Sequence, residues 1–231
     1  MSQNLVLIPG LLCTADLYKA QIADLARKAQ IMVADHTRFA TMREIAADIL
    51  GKAPPTFALA GLSMGGYIAF EILRQAPQRV TRLCLLDTQA RPDAPERAEF
   101  RRGLVALARK NGMAAVNRQL IRQLVHADRI SDPAILGVVD TMANDIGVEA
   151  FARQQEAIIT RADSRPDLAR IACPTLILVG AEDALTPVVL HEEMARAIRG
   201  SRLEILRHCG HLSTLERPDT VTDLMADWLV A

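Results

Sequence analysis

Aromatic side chains are scarce in this chain: Phe, Tyr and Trp together make up 3% of 231 residues. That leaves no platform on which bases or sugars would stack. Lysine is confined to Lys19, Lys28, Lys52 and Lys110, so arginine carries most of the positive charge. An excess of either sign is missing as well, since 27 basic residues balance 27 acidic ones. This excludes the strongly basic face that nucleic acid or an anionic membrane surface would demand. The four cysteines, Cys13, Cys84, Cys173 and Cys209, lie far apart with no C-x-x-C pair. Neither a disulfide framework nor a metal site is expected from them. No apolar run reaches the ~18 residues of a membrane span. Met1 to Leu5 lacks the basic and apolar regions of a secretory leader. The expectation is a cytoplasmic protein, monomer or homodimer, with no nucleic-acid or membrane partner.

Half of the residues are hydrophobic, enough for one domain with a sizeable core. Short apolar runs alternate with helical patterns. Leu5–Ile8, Ile31–Ala34, Thr56–Ala60, Arg82–Leu86, Thr175–Val179 and Arg202–Leu206 read as strands. Helical spacing occupies 16–29, a stretch opened by Thr41 and ended by Gly51, 64–76, 187–199 and 214–229. Between 89 and 165 the alternation breaks into four consecutive helical patterns, one opened by Asp132-Pro133 as N-cap and first helical residue. The spacing therefore predicts an α/β fold: a mostly parallel sheet of about six strands with helices on both faces. Residues 1–88 and 166–231 would form the core, and 89–165 a helical lid over the carboxyl ends of the strands. Ligands bind at those ends in such sheets.

Phe57 to Tyr67 contains Gly61-Leu62-Ser63-Met64-Gly65-Gly66 between a strand and a helix. This is the setting of a nucleophile elbow, which lifts a serine hydroxyl clear of the sheet. A serine needs a base, and the base needs an acid to orient it. His211, in His208-Cys209-Gly210-His211-Leu212, follows the last strand and is the candidate base. His36, His126, His191 and His208 read better as structural histidines. Asp183, in Gly180 to Pro187, follows the preceding strand and is the candidate acid, with Asp87 at the end of strand four as a second possibility. Glu182 reads as solvated. Donors for a tetrahedral oxyanion would be the backbone N–H of Met64, at a helix N-terminus, and that of Leu11 or its neighbour Leu12 in the loop after the first strand.

With these residues in place, the chain resembles the α/β-hydrolase superfamily. The likeness is to the small bacterial branch of pimeloyl-carrier-protein methyl ester esterases, MenH-type proteins and 3-oxoadipate enol-lactonases. It rests on the elbow, on Gly180 to Pro187, and on Gly210-His211-Leu212 followed by Glu216-Arg217-Pro218. It implies Ser63 as nucleophile, Asp183 as acid, His211 as base, Leu11 and Met64 as oxyanion donors, and no cofactor or metal. Two features depart from the branch. Pro9-Gly10 stands where His-Gly is common, and the usual leading hairpin of two strands is missing.

The expected activity is hydrolysis of a small carboxylic ester through an acyl-enzyme on Ser63. Lactone opening, carbon–carbon bond hydrolysis, perhydrolysis and elimination remain alternatives on the same triad, as does a slow-turnover signalling protein that binds a small ligand. Leu12, Leu104, Val139 and Met142 are candidate substrate contacts, within an apolar lid face that also holds Phe100, Leu107, Val116 and Leu120. Arg101, Arg102, Arg118 and Arg122 read as a solvated helix face.

Overall fold

Strand and helix alternate because the apolar pattern switches between continuous runs and helical spacing. The computed structural model describes residues 3–230. Six strands, β1 (Gln3–Ile8), β2 (Ala29–Val33), β3 (Phe57–Leu62), β4 (Val80–Leu86), β5 (Thr175–Gly180) and β6 (Arg202–Leu206), form one sheet in the order β2-β1-β3-β4-β5-β6. Every pairing is parallel. The central strands β3 and β5 are buried at every position, as a sheet covered on both faces requires. The edges β2 and β6 are largely half-exposed or exposed.

Neighbouring side chains along a strand point to opposite faces, and two cores result. Leu5, Leu7, Ala58, Ala60 and Leu62 pack on one side with residues of α1 (Lys19–Leu25) and of the last helix. Val6, Ile8, Phe57 and Leu59 pack on the other, against α2 (Met42–Lys52), α3 (Met64–Gln75) and α7 (Val188–Ala197). Thr41 caps α2 reciprocally: its hydroxyl oxygen accepts the Glu44 N–H at 3.2 Å and its O–H donates to the Glu44 carboxylate at 2.7 Å.

Between β4 and β5 run α4 (Pro95–Asn111), α5 (Met113–Leu124) and α6 (Pro133–Ile159). At Gly147 (φ 71°) the last of these breaks into two helical segments, so four helical stretches lie here. Asp132 caps it by accepting the Ala134 N–H at 2.9 Å. These helices bury their own core, including Leu104, Val116, Leu120 and Phe151, on which Leu12 also packs.

Most strand ends shift by one or two residues from the expected bounds, with β1 from Gln3, β4 from Val80 and β5 on to Gly180, and three changes matter more. The stretch 16–29 is a 3-10 turn (Ala15–Tyr18) followed by the shorter α1, and β2 starts at Ala29. Strand β3 runs on to Leu62, up to the serine itself. The helix expected over 214–229 is two: α8 (Ser213–Glu216) and α9 (Pro218–Val230). Pro218 has no N–H to continue a helix and starts a new one instead.

Candidate active site

The strand order reverses between β1 and β3. β1 leads outward to β2, whereas β3 leads the other way to β4. Loops after β1 and β3 therefore diverge and leave a crevice between them. Residues 9–13 and Ser63 lie on its two walls.

Ser63 has φ 54° and ψ −113°, a backbone conformation that a side chain strains. The surroundings hold it there. Its N–H donates to the Leu86 carbonyl at 2.9 Å, and its own carbonyl accepts the Thr88 hydroxyl at 2.8 Å. A Cβ on Gly61 would run into the Gly65 carbonyl, and one on Gly65 into that of Ile8. Both positions of the motif are thus closed to any side chain by close backbone approach. The four non-glycine residues with positive φ among the described residues are Leu12, Ser63, Asp87 and His208. Each lies just past the carboxyl end of a strand.

His211 Nε2 lies 2.9 Å from Ser63 Oγ, and Nδ1 lies 2.8 Å from Asp183 Oδ2. Asp183 is itself held: Oδ1 accepts the N–H groups of Leu185 (2.8 Å) and Thr186 (2.9 Å), and Oδ2 accepts the Thr186 hydroxyl at 2.7 Å. Burial acts to raise the Asp183 carboxyl, but the charge and hydrogen bond of His211 and the Thr186 donors outweigh it, and the net shift is downward. For His211 burial acts to lower the pKa, but the Asp183 carboxylate outweighs it and the net shift is upward. A carboxylate so fixed selects the tautomer with hydrogen on Nδ1 and leaves Nε2 to accept from Ser63.

Asp87 makes no hydrogen bond to His211. Its carboxylate accepts the N–H of Gly180 at 3.1 Å and that of Ser213 at 3.2 Å. It ties the strand that leads to Asp183 to the loop that carries His211. Burial, with the nearby Asp183 charge second, pushes its pKa up to about 8. The base loop is pinned elsewhere too. The N–H groups of His211 and Leu212 both donate to the Leu124 carbonyl, at 3.0 and 3.1 Å, and Glu216 accepts from Gly210 and His126.

The Leu12 N–H donates to the Gln154 side chain at 3.3 Å. The N–H groups of Leu11 and Met64 have no acceptor among the described residues. Of the two candidates in the β1 loop, Leu11 is therefore the one with a free donor. Met64 opens α3, so its N–H adds the favourable end of the helix dipole.

Leu11, Ser63 and His211 line a cavity of about 360 Å³, in the size range of small-molecule sites; Met64 is not among its lining residues. Leu12, Leu104, Val139 and Met142 line it as well. Phe100 and Leu120 also line it, whereas Leu107 and Val116 do not. Among the described residues no cluster of three or more His, Cys, Asp or Glu is placed to hold a metal ion.

The model of the alpha/beta hydrolase family matches residues 5–224. The chain belongs to the α/β hydrolase family. Among curated relatives, it is 28% identical over 193 residues to a pimeloyl-[acyl-carrier protein] methyl ester esterase of Neisseria meningitidis serogroup A. The match covers 80% of this chain but 61% of that protein's length. Among solved structures, a thermophilic esterase from Thermogutta terrifontis superposes with a TM-score of 0.89 at 30% identity, covering 99% of this chain and 90% of the other. The enol-lactonase from Burkholderia xenovorans LB400 gives 0.90 at 26%, covering 100% and 92%.

In this α/β hydrolase an imidazole does reach the loop after β1, from His36 rather than from position 9. His36 Nε2–H donates to the Pro9 carbonyl at 3.0 Å, and Nδ1 accepts from the Gln154 amide at 2.9 Å. Burial lowers its pKa. Gln154 belongs to no spaced motif, and Thr186, though inside the Gly180 to Pro187 block, is given no role by it. The reading of Arg101 needs correction. It is 8% exposed, ion-paired with Asp93 and bonded to Gln155 at 3.0 Å, because the chain before α4 folds back to bring Asp93 against it. Arg102, Arg118 and Arg122 are exposed. His191 accepts the Thr88 N–H at 2.9 Å, and burial drives its pKa down to about 4. His126 and His208 stack edge to face with ring centres 5.8 Å apart.

Proposed function

We propose that this α/β hydrolase cleaves a small carboxylic ester through an acyl-enzyme on Ser63. The observation that carries the reading is the unbroken chain from Ser63 Oγ through His211 to Asp183, with links of 2.9 and 2.8 Å. His211 Nε2 takes the Ser63 proton as Oγ attacks the carbonyl carbon. The N–H groups of Leu11 and Met64 receive the oxyanion. His211 then protonates the leaving alcohol, and water repeats the sequence on the acyl group. Asp183 holds the imidazole and stabilises its charged form.

The helices of residues 89–165 act as a lid in this reading. Leu12, Leu104, Val139 and Met142 contact the acyl or alcohol part. Lactone opening is the second reading, supported by the likeness to an enol-lactonase; the steps are identical, with the leaving oxygen retained in the product. No helix among the described residues is long and apolar enough to cross a membrane, and the four cysteines are free thiols. Both fit our proposal of a cytoplasmic location.

The test is turnover of p-nitrophenyl acetate by wild type and Ser63→Ala. Loss of turnover in the variant is expected, and undiminished turnover refutes the reading.

A further inference from the structure

One end of the cavity is built from charge. Asp93 lies just before α4 with its side chain almost fully buried, and both its oxygens are taken. Oδ2 pairs with Arg101 and Oδ1 with Arg161 at 2.7 Å. The Arg161 guanidinium also stacks on the Tyr67 ring, 4.3 Å from its centre. A third guanidinium, that of Arg97 in the first turn of α4, joins this group and lines the same cavity as Ser63. It lies over the Phe100 ring, 5.4 Å from the centre, and pairs with no carboxylate among the described residues. Glu96 and Glu99 on the same helix are exposed and do not line the cavity. Arg91, at the same end, is spent on Glu193 at 2.9 Å.

Two guanidinium groups thus share Asp93 while Arg97 stands near them without a carboxylate, which leaves an excess of positive charge at this end of an otherwise largely apolar space. Burial, and after it the Arg101 charge, act against protonation of Arg97, yet a guanidinium stays charged in proteins. A half-buried cation without a partner is costly, and an anion brought by a ligand relieves that cost. The fork of a single free guanidinium matches a carboxylate at two points. Asp93, bridged by one oxygen each to Arg101 and Arg161, shows a carboxylate paired with guanidinium groups next door.

We propose that Arg97 is the anchor for a carboxylate on the substrate, so that the site takes esters or lactones whose acyl part carries a second, free acid group. The proposal rests on the hydrolase reading above and assigns its substrate class. The carboxylate would sit at the α4 end, the methylene stem along Leu104 and Phe100, and the scissile carbonyl over Ser63.

The experiment compares, within each protein, kcat/KM for the monomethyl esters of succinic, glutaric and adipic acids with that for the corresponding dimethyl esters. In the wild type the anionic member of at least one pair is favoured by about tenfold or more, as a charge-assisted pair provides. In Arg97→Gln that ratio collapses towards one. A wild-type ratio at or below one in every pair overturns the proposal while leaving the hydrolase reading intact, because the neutral diesters are still cleaved. If neither ester of any pair is turned over, the hydrolase reading fails instead. The anion site is then judged by calorimetry with the monoamides of the same acids. Binding to wild type that weakens about tenfold in Arg97→Gln and with added salt supports it. Equal binding to both proteins overturns it. Alkyl monophosphates of matched length form a further arm, and tighter binding of these than of the carboxylates overturns the assignment to a carboxylate.

Discussion

Gln154 holds the backbone N–H of Leu12 at 3.3 Å while its amide nitrogen donates to His36 Nδ1 at 2.9 Å. A single side chain from the second half of α6 thereby fixes the loop beside Ser63, next to Leu11, whose N–H has no acceptor among the described residues. Replacing Gln154 with Leu removes both bonds at similar volume. We expect kcat to fall about tenfold, less than the ~3 kcal/mol that complete loss of an oxyanion donor costs, with a smaller change in KM. Since His36 acts through the same amide, His36→Ala and the double variant should lie close to Gln154→Leu. Steady-state kinetics on the three proteins checks this. Additive losses would break the link.

Asp183 and Asp87 are both buried within one site, but their partners separate them. Asp183 meets His211, whereas Asp87 meets only backbone N–H groups. Asp183→Asn should lower kcat by about 10⁴, because the amide favours the wrong imidazole tautomer. Asp87→Asn should cost far less. Asp87→Ala strands two buried donors, at about 1–3 kcal/mol each, and should lower the free energy of unfolding by about 2–6 kcal/mol in urea. A kcat loss in Asp87→Asn equal to that in Asp183→Asn would reverse the assignment.

The pH profile follows from the upward shift of His211. Only the neutral imidazole accepts the Ser63 proton, so activity is lost as pH falls through the His211 pKa. Burial works to lower that value, and the Asp183 charge works harder to raise it above the ordinary 6.5. The acid limb of kcat/KM should therefore lie above pH 6.5 in the wild type and move down in the residual activity of Asp183→Asn. A limb below 6.5 in the wild type contradicts the electrostatics described here.

Strain at Ser63 has its own signature. At φ 54° a glycine is comfortable and an alanine is not. Ser63→Gly and Ser63→Ala both lose the hydroxyl, so they differ chiefly in backbone strain and unfolded-state entropy. Ser63→Gly is expected to be the more stable of the two by about 1 kcal/mol, strain outweighing the extra entropy of a glycine chain. Thermal unfolding of the two variants measures it.

Much of the fold was legible because β1, β3, β4 and β5 are largely buried and read as apolar runs, and because Ser63 and Asp183 each follow such a run, while His211 follows the edge strand β6. The half-exposed edge strand β2 was placed less well, since polar and apolar residues mix there. Gln154 stands 142 residues from the Leu12 N–H it holds, and no spacing rule links the two. Arg101 and Arg97 share a helix and a residue type. Only folding shows that Asp93, shared with Arg161, pairs with the first and leaves the second free.

The proposed chemistry requires a covalent acyl group at Ser63. Rapid-quench mass spectrometry of the intact chain, mixed with excess p-nitrophenyl acetate and then digested, reads it directly. The expected result is a burst of nitrophenol approaching one per chain, together with an acetyl mass on the peptide that contains Ser63. Full turnover with that peptide unmodified at every quench time, and equal turnover by Ser63→Ala, would contradict it.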